Sequence, residues 1–141
     1  MQDTIYTGAI AGISGGLVKL TVGLSLYVIG VAETTILHQA AFAFLPEGAA
    51  INSAPALVIG LVVHSVLAAL LGVIGVYILR LTGLLYGGLL WVVVYGDLAA
   101  HLVPLRLLRP DLATVVTMLF NHLAFGLTTF YAAGRLRAAA A

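Results

Sequence analysis

The chain contains no cysteine, which excludes disulfides, thiolate metal sites and cysteine-ligated iron–sulfur clusters built from its own residues. Charge is nearly as scarce. Only 8% of the 141 residues are Asp, Glu, Lys or Arg, against about a quarter in an ordinary globular domain. Six scattered basic residues and a net charge of +1 do not make a phosphate-binding surface, so nucleic acid is excluded as a partner. The H-E-x-x-H run of an intramembrane metalloprotease is missing, and Ser14, Ser25, Ser53 and Ser65 stand in no nucleophile motif, so no hydrolytic activity is expected. Met1-Gln2-Asp3 lacks the basic start of a signal peptide, and the apolar run behind it is too long for one. The first apolar segment therefore reads as a retained helix.

What the chain has is hydrophobicity, 62% of residues with a mean hydropathy of +1.17. This is the composition of an integral membrane protein, and the whole chain, 1–141, reads as one transmembrane domain. Four spans are expected, at about 5–31, 54–80, 84–102 and 112–133, each near or above the ~20 residues that cross a bilayer. A short helix over 36–45, capped by Glu33-Thr34-Thr35 and stopped at Pro46, is too short to span and should lie at the interface or re-enter the membrane. Ser53 with Pro55 caps the second span, Leu81-Thr82-Gly83 leaves only a tight turn that makes spans two and three a hairpin, and Asp111 caps the fourth. Gly134 should end the last helix, leaving 138–141 unstructured. The expected fold is an all-α membrane four-helix bundle with one extra short helix.

Four crossings put both termini on one side. Arg80, Arg135 and Arg137 fall on that side, against Arg106 and Arg109 on the other with Glu33, Glu47 and Asp111. The three-to-two bias places both termini in the cytoplasm.

Each span carries one ionisable residue near its middle: Lys19, His64, Asp97 and His122. At 1.5 Å per residue they lie ~21, ~24, ~21 and ~20 Å from the same membrane face, so they share one layer. Their helix faces agree as well. Lys19 sits in the stripe Gly12, Gly16, Gly23, Leu26 and Gly30, where Leu26 is the other interruption of the glycines. His64 sits with Gly60, Ala68, Gly72 and Gly75, and His122 with Thr114, Met118, Gly126, Thr129 and Ala133. Small residues mark faces where helices approach, so these polar groups should point at protein. Asp97 shares a face with His101, Tyr86, Leu90 and Val94.

Bland readings stand beside this one. Lys19 could snorkel, or pair with Asp97 to fix helix register. Each histidine could be an ordinary interhelical hydrogen-bond partner. Trp91, Tyr86 and Tyr95 read as core or oligomer contacts, whereas Glu33, His38 and His101 form a loosely spaced surface group that hints at a metal.

Gly83-Leu84-Leu85-Tyr86-Gly87-Gly88-Leu89-Leu90-Trp91, then Pro104 and Asp111-Leu112-Ala113-Thr114-Val115-Val116-Thr117, resemble the second half of the small bacterial membrane proteins called YqhR. The likeness covers the last two spans through G-x-x-Y-G-x-x-x-W and D-L-x-T-x-x-T, and is poor in the first two. It implies a multispan protein of the bacterial inner membrane. The family has no established activity, so no functional residue carries over, and its pattern does not require histidine where His64 and His122 stand.

Three functions fit these residues. In the first, Lys19, His64, Asp97 and His122 form a polar relay that passes protons, an ion or a small polar solute. In the second, His64 and His122 ligate a haem b or a metal, with Gly60 and Gly126 making room for the macrocycle and Arg106 and Arg109 meeting its propionates. In the third, the chain is a non-catalytic subunit, a homo-oligomer or part of a larger complex, that uses its glycine faces for assembly.

Overall fold

The computed structural model describes residues 2–46, 49–79, 81–95 and 112–140, and among them every regular element is a helix. Helix α1 (Gln2–Val28) keeps its ladder through five glycines, as a segment in hydrocarbon must satisfy its backbone internally. It ends three residues before the expected 31, because Gly30 turns into the left-handed region at φ 76° while the Val31 and Ala32 amides bond back to the Leu26 carbonyl.

The short helix α2 (Ile36–Phe42) opens on a reciprocal cap. The Thr35 side chain accepts from the His38 amide, and His38 Nδ1 accepts from the Thr35 amide at 3.1 Å. Helix α3 (Ala54–Ile74) begins with the expected Ser53 cap and Pro55 in its first turn, and continues into a π turn, Gly75–Leu79. The widening starts where the Tyr86 ring lies against Gly75 and the Tyr86 hydroxyl donates to the Leu71 carbonyl. The Gly75 amide shares that carbonyl, and such competition loosens a helical ladder.

Helix α4 (Gly83–Tyr95) follows a Thr82 cap, and α5 (Leu112–Ala139) closes the described chain. Gly134 does not end α5. Open space surrounds it, a lone glycine costs a helix only about 1 kcal/mol, and Arg137 one turn on reaches the Val76 carbonyl at 3.4 Å. The end expected to be unstructured is helical to Ala139.

Close backbone approaches at glycine define the arrangement. Gly12 and Gly72 join α1 to α3, Gly15 faces Phe125 and Thr129 of α5, and Gly126 meets Gly83 and Gly87 of α4. These pairings run α1 antiparallel to α3 and α5, and α4 antiparallel to α5. The expected hairpin of spans two and three holds only as a short connection. The backbone of α4 lies along α5, and α4 meets α3 through side chains, Tyr86 packing with Ala68, Leu90 and Phe125. Helix α2 rests on α3, with the Leu37 backbone against Gly60.

Among the described residues three helical stretches, Thr4–Val28, Ala54–Leu79 and Leu112–Ala139, are long and apolar enough to cross a membrane, and Gly83–Val94 is apolar but shorter. Helix α3 shows how the chain sorts its faces. Ala56, Gly60, His64, Ala68 and Gly72 are buried, while Val58, Val62, Val66 and Leu70 point outward. Large apolar side chains outside and small or polar ones inside suit a protein solvated by lipid. The chain has the character of a multi-pass membrane protein.

Candidate functional site

Lys19, His64 and His122 come from three helices and meet at one level. Lys19 belongs to the inward stripe of α1, and the same spacing of four that buries Gly60 and Ala68 on α3 buries His64 between them. On α5 the buried face runs Thr114, Met118, His122, Gly126, Thr129 and Ala133.

Hydrogen bonding fixes how the imidazoles face. His122 Nδ1 lies 2.7 Å from the Met118 carbonyl. A carbonyl only accepts, so Nδ1 carries the proton and Nε2 presents a lone pair. That lone pair receives a hydrogen bond from Lys19 Nζ at 2.8 Å. His64 Nε2 donates in turn to the Gly16 carbonyl at 3.1 Å, one helical turn from Lys19. The Phe125 ring lies with its centroid 6.0 Å from Lys19 Nζ, at the edge of cation–π range.

These three residues line a cavity of about 220 Å³. Its walls are mainly apolar, from Val63, Leu67, Ala68, Leu71, Leu90 and Phe125, and α2 closes over it with Ile36, Gln39 and Ala40, followed by Ala43 at its C-cap. Of the lining residues, Phe44 and Leu67 are 68% and 48% exposed and mark the open side of the cavity, on the apolar outer surface. Among the described residues lining the cavity, Lys19 is the one that can bear a full ammonium charge.

Lys19 is only 7% exposed, so it does not snorkel; the glycines beside it hold α1 too close to its neighbours for the side chain to bend outward. Asp97 lies outside the described residues, and with it the Lys19–Asp97 pair. So do Arg80, His101, Arg106, Arg109, Glu47, Asp111 and the Tyr95 side chain. The space that a haem required beside the histidines is taken by protein: the Leu37 backbone fills the gap at Gly60, and Gly83 with Gly87 fills the gap at Gly126. His38 is no surface ligand. It is buried at the α2 cap, tilted against Tyr27 with ring centroids 5.4 Å apart, and burial lowers its pKa below the usual 6.5. Among the described residues no cluster of three His, Asp or Glu side chains could hold a metal.

Two polar contributors were not singled out by the sequence. Asn121 is buried beside His122, its amide nitrogen 3.8 Å from Met118 Sδ and its Oδ1 without a partner among the described residues. A carboxamide midway along an apolar span is the signal that would have found it. Gln39 lines the cavity from α2, a helix read as interfacial. Trp91 donates to the Val115 carbonyl at 3.2 Å, tying α4 to α5. No family model, curated protein or solved structure matches this chain.

Proposed function

We propose that this chain is a small translocation protein whose intramembrane chamber takes up protons or a small polar solute at Lys19, His64 and His122. The observation that carries the reading is their convergence, from three helices, on one cavity. Ionisable groups are costly in hydrocarbon, and those that face a bundle interior commonly mark a path.

A proton on Lys19 Nζ has a ready acceptor in the His122 Nε2 lone pair. His64 lines the same cavity, anchored to the Gly16 carbonyl. The proposal extends the relay to Asp97, which lies outside the described residues. Operation as a homo-oligomer or inside a larger membrane complex, in the bacterial inner membrane with both termini in the cytoplasm, belongs to the same proposal. Arg135 and Arg137 near the end of α5 and the YqhR resemblance support it.

Proteoliposomes with a trapped pH dye and an imposed potassium diffusion potential test the reading. The protein should acidify or alkalinise the lumen faster than empty vesicles, and Lys19→Met should remove most of that flux. Flux no greater than empty vesicles, for protons and for small anions alike, rejects it.

A further inference from the structure

An ammonium has three N–H donors. Lys19 uses one on His122 Nε2, and among the described residues Nζ makes no other hydrogen bond. A buried donor left in this way costs free energy until an acceptor arrives, and a buried cation until an anion does. Apart from the imidazoles of His64 and His122 and the Gln39 carboxamide, the cavity that Lys19 lines is walled by hydrocarbon. One cationic corner in an apolar chamber defines a ligand with one anionic end and an apolar body.

Size narrows the choice. A cavity of about 150 Å³ encloses benzene, so by proportion about 220 Å³ encloses roughly nine non-hydrogen atoms. A carboxylate of three such atoms leaves about six for the body, the size of hexanoate or benzoate. The mouth between Phe44 and Leu67 is apolar and faces outward, which admits such a molecule from the lipid side.

We infer that the cavity is a binding site for a small monocarboxylate with an apolar body, its carboxylate seated on Lys19 and its body against the Val63, Leu71 and Phe125 walls. Carboxylate on ammonium is a charge-assisted hydrogen bond in a site walled mainly by hydrocarbon, where such bonds are strongest. The inference rests on the chamber being the working site of the proposed translocation, and names what it carries.

Equilibrium binding of radiolabelled hexanoate to the full chain purified in dodecyl maltoside, with hexan-1-ol as the uncharged competitor, tests it without reference to flux. The expected result is saturable hexanoate binding that hexan-1-ol displaces poorly and that Lys19→Met weakens about tenfold or more. Ala40→Leu, which keeps Lys19 and fills the chamber, should also abolish it, so the test survives if Lys19→Met does not fold. Absence of saturable binding, equal binding by folded Lys19→Met, or equal displacement by hexan-1-ol overturns the inference. Binding without vesicle flux leaves the site standing and removes translocation; proton flux without binding does the reverse.

Discussion

At the start of α2 an imidazole nitrogen takes the place that a Glu or Gln oxygen fills in most capping boxes. His38 Nδ1 can accept from the Thr35 amide only while it is unprotonated, and burial favours that neutral form. A base whose pKa is lowered on folding contributes stability that is present above its unfolded pKa and is lost as pH falls through the folded one. Melting temperature should therefore drop as pH falls below about 6.5, and His38→Gln, which keeps the cap without the titration, should flatten that part of the profile. An unchanged acid limb in His38→Gln would remove His38 as its source. His38→Ala should cost about 1 kcal/mol at neutral pH, read by unfolding in mixed detergent. The sequence offered Thr35 as a cap but not its partner, because a histidine at the third helical position is not the usual signature. Lys19, His64 and His122 were legible in depth and in face, since both follow from helical rise and from the spacing of small residues around them. Their bonds were not, since those depend on how far apart the helices come to rest.

Glycine explains that spacing, and not every glycine is equal. A methyl group on Gly72 would meet the backbone of Gly8 and Gly12, whereas one on Gly88 would meet nothing within 4 Å. Gly72→Ala should destabilise the chain by about 1–3 kcal/mol through overpacking. Gly88→Ala should be neutral or stabilise it by up to about 1 kcal/mol through helix propensity, and the two are compared by thermal melting in detergent. Equal shifts would show that Gly72 is not a contact. The glycine stripes were readable as packing faces, but which helix each one meets was not. The stripe of α5 meets α4 at Gly126 and α1 near Thr129, and the loop lengths alone had favoured a simple hairpin between spans two and three. Tyr86, buried and bonded to Leu71, places α4 against α3 by side chain only. Gly134 misled because a lone glycine in open space neither packs nor breaks a helix.

For the molecule as a whole, the outward Val and Leu side chains of α3 predict which surface touches lipid. With no cysteine to remove, single cysteines carrying a nitroxide can be placed at Val62, Val66 and Leu70. Each should collide readily with oxygen and poorly with a water-soluble nickel complex in vesicles. The opposite ranking would mean that this face lies in water or against another protein. The membrane character was plain from composition, whereas the chamber roof was not, because α2 is amphiphilic only when its contact with Gly60 is known. The Lys19–His122 bond, finally, joins residues 103 positions apart, one in the first helix and one in α5. During synthesis Lys19 therefore enters the membrane long before the imidazole that receives it exists. Until α5 is made, that amine must be held by water, by lipid headgroups or by the insertion machinery, which makes the arrival of the last described helix the step that completes the chamber wall.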